Sequence, residues 1–575
     1  MPADLPTLFP RPRELSPRGG HWPVSGAGWD RLPTTIASAQ ATLVAGRHGS
    51  VRIDADPRLQ PESYTLEIAP GGVQLRARDA AGTLYGLQTL AQLHAQSTTA
   101  LPCLAIADGP DLAVRGFMLD VSRCKVPTQA ELLDLIRALG QLRVNQLQLY
   151  VEHTFAFAGH EEAWQEASPL TPAEIRALDA ACADVGIELV PNLNTFGHME
   201  RWLRHPRYRA LAECPQGWIH PLTGQFKEFP GTLKPDGASL DFVAGLLDDY
   251  LPCFRSRQVN LGGDEPWELG QGHSKEAVAA RGKHRVYLEH LRRLCALATA
   301  RGRTPQFWGD ILLEDLALAQ EAPLDATPVV WGYDAGHPFA AQCGRLQELG
   351  RTYLVAPGTS AWQSFTGRLD NALANQAEAV AAAERHGARG VLVTTWGDNG
   401  THQPWPTAWL PLAAGLAQAW SRVANQTPDA SAACRVLGNL PAADAQAAAA
   451  ALTHLGRLDN QIAKANRNKS LSWDFLTAPP AALAGFVAGV TAEDIAHSLA
   501  YLEEGAELVA SIRDERVRDE LAVGLELARA GLRRAAGQPI AGPAARDLQA
   551  RFETAWLRRA RRGGLAESVA GLRLG

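Results

Sequence analysis

The adjacent carboxylates Asp264 and Glu265, in the segment Val259-Asn-Leu-Gly-Gly-Asp-Glu-Pro266, are the residues whose type and spacing speak most directly for chemistry. Successive side chains of a regular strand point to opposite faces, but Gly262 and Gly263 loosen the backbone just before the pair. Pro266 biases Glu265 toward extended geometry and ends the strand ladder. Both carboxylates are therefore expected to reach one cavity from different directions. Two neighbouring carboxylates resist double ionisation, so one can hold a proton while the other stays charged. A protonated acid beside a charged carboxylate is what cleavage of a glycosidic bond requires. The string Gly-Gly-Asp-Glu also marks cyclic-dinucleotide synthases, where Phe follows; Pro266 and the surrounding strand pattern set that alternative aside.

The elements that must position this pair follow a repeated pattern. Strand candidates lie at 112–121, 144–151, 187–193, 259–263, 304–308, 328–331, 353–356 and 390–395, most separated by helical periodicity. Thr128 with Glu131 reads as a helix start with a capping box, and Thr171-Pro172-Ala173-Glu174 as another start with Pro at the first helical position. Eight βα units over roughly 300 residues favour a (β/α)8 TIM barrel over an open doubly wound sheet. No Gly-rich phosphate loop follows the first strand, which counts against a dinucleotide fold. The stretch 198–250 is longer than one helix needs and is expected to carry an insertion on the active-site side. Before the barrel, 64–69 and 73–78 alternate at period two around a Pro70-Gly71-Gly72 turn, and a helical pattern follows. Residues 1–30 read as an extended Pro-rich lead-in. The expected organisation is α/β: a lead-in and small α/β domain over 1–110, a catalytic barrel over 111–422, and an α-helical domain over 423–575. The Ala- and Leu-rich helices of the last part are candidates for covering the cleft or for pairing two chains in a homodimer.

Barrels place their reactive groups at the C-terminal ends of the strands. Those ends offer Asp120 and Arg123; Glu152 and His153; Asn194 with His198; Asp264 and Glu265; Trp308 with Asp310; Trp331, Tyr333 and Asp334; Trp362; and Trp396 with Asp398. Carboxylates and tryptophans dominate. Indole faces stack on the C–H face of a pyranose and carboxylates accept its hydroxyls, so the set suits a sugar. Four tryptophans on one rim exceed what capping a barrel core needs.

Composition narrows the partners. The 575 residues are 46% hydrophobic and 20% charged with a net charge of −6, so no basic field invites nucleic acid. No stretch has the length of a membrane-spanning helix, and the first residues lack the apolar run of a signal peptide. The eight cysteines are scattered, without a CxxC pair or zinc-type spacing, which fits thiols in a reducing cytoplasm. His160-Glu161-Glu162 is better read as a solvated loop than as a metal site. No metal, cofactor or membrane partner is expected.

Taken together, the segments over about 40–420 resemble glycoside hydrolase family 20, the β-N-acetylhexosaminidases. The motifs are Arg115-Gly-Phe-Met-Leu-Asp-Val-Ser-Arg123, Gly186-Ile-Glu-Leu-Val-Pro with Phe196-Gly-His198, Gly262-Gly-Asp-Glu265, Phe307-Trp-Gly-Asp310 and Trp396-Gly-Asp398. The resemblance implies exo-acting, retaining, substrate-assisted release of a terminal 2-acetamido sugar from an oligosaccharide or small glycoside. It implies Glu265 as general acid and then base, and Asp264 as the group steering the acetamido nucleophile. It further implies Arg115 and Asp398 on the sugar hydroxyls, Trp308, Trp331 and Trp396 as walls, and His198 supporting the acid. Two departures stand out. Glu152 and His153 occupy the place of a common aspartate pair, and Trp362 stands where a Tyr after the seventh strand usually binds the acetamido oxygen, with Tyr333 as candidate replacement. They resemble a divergent, often intracellular, branch and leave glucosamine and galactosamine both open. A catalytically silent carbohydrate-binding protein and a barrel glycosidase for sugars without an acetamido group are the competing readings.

Overall fold

In the computed structural model, which describes residues 6–24 and 29–574, eight short runs of residues buried on both faces form parallel strands. They are β1 (Val114–Asp120), β2 (Gln146–Val151), β3 (Glu188–Leu193), β4 (Gln258–Asn260), β5 (Thr304–Trp308), β6 (Thr327–Trp331), β7 (Leu354–Ala356) and β8 (Gly390–Thr395). They close in sequence order, with β8 pairing back onto β1. Burial inside and out explains why these runs lack the alternation of half-exposed strands. The chain therefore adopts the TIM-barrel fold expected of its repeated βα pattern.

The lower barrel interior is held by side-chain amides. Gln148 donates to Gln306 Oε1 at 2.8 Å, and its own carbonyl accepts from Asn192 at 2.9 Å and Asn260 at 3.2 Å. The Gln148 amide is thereby satisfied on both sides, the condition for placing it in a core, whereas Asn192 Oδ1 has no partner among the described residues.

Helix starts follow local chemistry. Thr171 and Glu174 form the reciprocal box, with Pro172 in the first turn of Pro172–Asp184. At Thr128 only half of the expected box forms. Its hydroxyl accepts from the Glu131 amide, but the Glu131 carboxylate turns to Arg559, 2.9 Å away, and to Arg516. Two cations from the C-terminal helices outcompete one backbone amide.

The N-terminal unit is a six-stranded sheet with helices Ile36–Ala45 and Ala80–Gln96. Tyr64–Ala69 and Gly72–Ala77 form the expected hairpin. The Pro-rich stretch departs from expectation: Glu14–Pro23 is an edge strand paired with Ala100–Asp108, its register shifting between Pro17 and His21. An edge tolerates the missing proline amides. Residues 1–5 and 25–28 of the same stretch lie outside the described residues.

After β3 the chain makes the expected excursion: a short helix Glu200–Leu203, then the paired Trp218–Ile219 and Phe226–Lys227, before the barrel helix Gly237–Tyr250. Beyond Trp420 the chain is helical and folds back over the C-terminal ends of the barrel strands. Leu369 N–H donates to Gly456 O, Ser470 N–H to Gln363 O, and Arg561 N–H to Val126 O. No helix among the described residues is long and apolar enough to cross a membrane.

Candidate active site

The bend that presents the acidic pair begins where β4 stops. β4 ends at Asn260, earlier than the alternation of the sequence suggests, because Gly262 (φ +69°) and Gly263 (φ +88°) turn into the left-handed region. A Cβ on Gly262 would lie 2.3 Å from Asn194 Oδ1, so both the turn and the close approach require glycine. Glu265 does not adopt the extended geometry expected before Pro266. It has φ +46°, held by its own N–H donating to Asp310 Oδ2 at 3.3 Å and by Trp267 N–H donating to its carbonyl at 2.7 Å. A left-handed non-glycine residue costs about 1–2 kcal/mol. Strain of this kind is characteristic of sites whose surroundings over-determine the conformation.

Both carboxylates meet one imidazole. His198 Nε2 lies 3.1 Å from Asp264 Oδ2 and 3.7 Å from Glu265 Oε2. On its other side, Nδ1 lies 3.3 Å from Arg123 Nη2 and 3.9 Å from Glu152 Oε1. A guanidinium only donates, so the Arg123 contact uses the Nδ1 lone pair and leaves the proton on Nε2, toward Asp264. Burial pulls the His198 pKa down, but the Asp264 charge and hydrogen bond outweigh it and lift it to about 9. The two influences oppose each other at Nδ1: the Arg123 contact favours the neutral ring, and the carboxylates favour the cation, whose Nδ1–H then faces Glu152. Asp264 Oδ1 is buried and, among the described residues, receives no hydrogen bond.

Arg123 organises the opposite wall. It reaches Asp120 Oδ2 at 3.1 Å and Glu152 Oε1 at 3.0 Å, and its guanidinium lies over the rings of Tyr150 and Trp396. Glu152 also accepts from Tyr150 OH at 3.1 Å. The resulting cleft of about 430 Å3 is bounded by Arg123, Glu152, His198, Glu265, Trp267 and Asp398. Burial, with repulsion from Asp264, pushes Asp310 up to about 8, so it is protonated at neutral pH. Burial also raises Asp398, against the pull of Arg123 and with repulsion from Asp120 and Glu265, to about 6. Among the described residues no group of three His, Cys, Asp or Glu side chains is arranged to hold a metal ion.

The expected aromatic residues come together around Tyr333. Trp331 stacks on it at 5.2 Å, Trp362 meets it edge-on at 5.2 Å, and Trp396 lies 6.2 Å away and 5.7 Å from Trp308. Trp308 and Trp362 are wholly buried, and Trp362 Nε1 donates to Asn468 Oδ1 at 3.0 Å. Trp362 thus closes the barrel core and anchors the C-terminal region. Burial raises the Tyr333 phenol well above its usual range, so Tyr333 stays a hydrogen-bond donor.

Two expected site residues lie elsewhere. Arg115 sits at the N-terminal end of β1, wholly buried, and its guanidinium binds Glu62, Arg143 O at 2.7 Å and Leu112 O at 3.0 Å. It joins the N-terminal unit to the barrel floor, away from the cleft; Arg123, eight residues on, occupies the mouth. His153 follows Glu152 and turns the other way, into a neighbouring cavity. Burial and surrounding cations hold it down at about 3. The sequence pattern did not point to Trp218 and Trp267 on the cleft wall, or to Glu567, which reaches the cleft from the C-terminal tail. Arg123 and Asp310, both at strand ends by the polarity of the barrel, take the places at the site that this polarity implies. No local pattern marks Glu567.

Comparison with known proteins finds similarity to glycoside hydrolase family 20 along the chain. The family described as "Glycosyl hydrolase family 20, domain 2" matches residues 28–109, and "Glycosyl hydrolase family 20, catalytic domain" matches 113–357. A beta-hexosaminidase of Akkermansia muciniphila is 27% identical over 280 residues, covering 44% of this chain and 56% of that protein. Beta-hexosaminidase subunit A1 of Dictyostelium discoideum is 27% identical, covering 41% and 42%. Hexosaminidase D of Bos taurus is 27% identical, covering 47% and 80%. The chain thus spans about half the length of the first two of these relatives. The solved chitobiase of Flavobacterium johnsoniae shares the fold with a TM-score of 0.59 at 17% identity, over 95% of both chains. A β-N-acetylhexosaminidase from Bacteroides fragilis does so with a TM-score of 0.57 at 17% identity, over 72% of this chain and 90% of that one.

Proposed function

The chain belongs to glycoside hydrolase family 20, and from that premise we propose that it is an exo-acting, retaining β-N-acetylhexosaminidase. It releases a terminal N-acetylglucosamine or N-acetylgalactosamine through the substrate's own acetamido group. The observation that carries this reading is Asp264, whose Oδ2 is fixed by His198 while its buried Oδ1 has no donor among the described residues. A buried acceptor without a donor is expensive, and an amide N–H of the substrate satisfies it.

In this reading the acetamido carbonyl oxygen attacks C1 as the glycosidic C–O bond breaks. The bond pair goes to the leaving oxygen, which takes the proton of Glu265. The oxazolinium so formed bears positive charge at the N–H held by Asp264, where the carboxylate stabilises it. Glu265, now ionised, takes a proton from the water that attacks C1, and the ring reopens with retention. Arg123, Glu152 and Asp398 hold the sugar hydroxyls, the indoles of Trp396 and Trp331 bound the ring, and Tyr333 donates to the acetamido oxygen. The eight cysteines, all free thiols, support a cytoplasmic location.

Proton NMR of early product from an aryl N-acetyl-β-glucosaminide tests the reading. The β-anomer must appear first, and a thiazoline mimic of the oxazoline must inhibit competitively. First appearance of the α-anomer contradicts it.

A further inference from the structure

A second cavity of about 700 Å3 adjoins the catalytic cleft. The two share Ser122, Cys124, Arg201 and Glu567 as walls. One side comes from the barrel loops, with His153, Arg201, Arg204 and His205; the other comes from the C-terminal tail, with Arg562 and Glu567. Tight packing fixes the tail in place: Cβ atoms on Gly563 and Gly564 would collide with the backbones of Ala167 and Cys124. Ser568 Oγ donates to Gly400 O in the loop that carries Asp398.

The charges of this cavity are unevenly committed. Arg201 is tied to Glu567 at 2.5 Å, and Glu162 faces Arg207 at 3.4 Å. Among the described residues neither the half-buried Arg204 nor the exposed Arg562 has an ion-pair partner, and the remaining acid, Glu166, is likewise exposed at the rim. His153, only 6% exposed, lines the cavity with an Nδ1 that no group among the described residues bonds. After burial itself, the influences that most disfavour charge on His153 are the guanidinium groups of Arg201, Arg204 and Arg123. With Glu567 and Glu162 paired, the arginines left over give the cavity an unpaired positive charge although the chain as a whole carries −6. Guanidinium groups recognise oxyanions through paired N–H donors, and a partly enclosed site strengthens that attraction.

We propose that this cavity is an oxyanion site joined to the catalytic cleft, in which Arg204, Arg562 and His153 bind a sulfate, phosphate or carboxylate carried by the substrate chain. The enzyme thereby prefers acetamido sugars attached to, or substituted by, an acidic group. The Arg201–Glu567 pair forms the partition between the sugar-binding cleft and the anion site. This inference rests on the proposed hydrolase activity for its substrate, but not for its binding chemistry.

The test uses the full chain and the double variant Arg204→Gln/Arg562→Gln, with thermal unfolding as a check on folding. Calorimetric titration with inorganic sulfate is expected to show binding that weakens at least tenfold in the double variant. With β-linked N-acetylglucosaminyl disaccharides, kcat/KM is expected to be at least tenfold higher for glucuronate than for glucose as the second sugar. That ratio should fall to near one in the double variant, while turnover of a neutral aryl N-acetylglucosaminide stays within about twofold. Sulfate binding without substrate preference assigns the site to a free oxyanion and overturns its substrate role. Absence of both sulfate binding and preference, or a preference unchanged in the double variant, overturns the site itself. If the neutral aryl glycoside is not hydrolysed at all, the proposed activity fails while the sulfate titration still decides the anion site.

Discussion

His198 Nε2 stands 3.1 Å from Asp264 Oδ2, so the carboxylate that is to steer the acetamido group is itself steered by an imidazole. Replacing His198 with Gln keeps a donor near Asp264 but removes the titrating ring. The expected result is a fall in kcat of about 10- to 100-fold with a smaller change in KM, measured by steady-state hydrolysis of an aryl N-acetyl-β-glucosaminide. The pH dependence provides a second readout. A folded-state pKa near 9, above the ordinary 6.5, gives a stabilising contribution that is complete below about 6.5 and lost as pH rises through about 9. Denaturant unfolding from pH 6 to 10 should show that alkaline loss in the parent and a smaller one in His198→Gln.

Asp310 has the same sign of shift from a different cause. Burial first, then Asp264, raise it to about 8; its contribution is therefore complete below about 3.8 and declines as pH rises toward 8. Asp310→Asn keeps an oxygen for the Glu265 N–H and removes the titration. Its stability relative to the parent should rise steadily between pH 5 and 8. A constant difference over that range would show that Asp310 does not titrate there.

The two arginines that flank β1 should fail in different ways. Arg123→Gln strips the cleft of its cation and is expected to raise KM and lower kcat/KM by about 100-fold or more, since hydrogen bonds to charged groups contribute about 1.5–3 kcal/mol each. Arg115→Gln removes a wholly buried guanidinium from its pair with the partly exposed Glu62 and should reduce stability by about 1.5–3 kcal/mol, leaving KM of the surviving folded enzyme nearly unchanged. Denaturant midpoints and Michaelis constants measured on both variants separate the outcomes.

This contrast shows what the residues disclose on their own. The barrel strands are legible because each is a run buried on two faces, and Asp264 and Glu265 are legible because glycines and a proline frame them. The Arg115…Arg123 motif holds two arginines of one type, and only the polarity of the barrel tells floor from mouth. Glu152 and His153 follow the end of β2 in a bend, which sends Glu152 into the cleft and His153 into the neighbouring cavity. Trp362 looks like a sugar platform from its place after β7, yet Asn468, more than 100 residues away, takes its indole N–H. Glu567 is a long-range partner of the same kind, invisible to local pattern because tertiary packing alone brings the tail to the cleft.

Tyr333 and Trp362 provide a further separation. Tyr333→Phe removes the donor assigned to the acetamido oxygen and is expected to lower kcat about 10- to 100-fold with little change in KM. Trp362→Phe loses the Asn468 contact and core volume, so it should lower stability more than kcat. Equal kinetic losses in both would assign the aromatic cluster to packing alone.

Asp398, raised to about 6 by burial against the pull of Arg123, should bind the sugar hydroxyls best when ionised. KM is therefore expected to rise as pH falls through about 6, and Asp398→Asn should show a high KM that no longer depends on pH in that range.

The central claim is that the substrate's acetamido group supplies the nucleophile that Asp264 orients. It is tested most directly by comparing kcat/KM for an aryl N-acetyl-β-glucosaminide with that for the matching aryl β-glucoside. An oriented intramolecular nucleophile reaches effective molarities of about 10⁵ M or more, so the acetamido substrate is predicted to react at least about a thousandfold faster. Comparable rates on the two substrates would contradict the account.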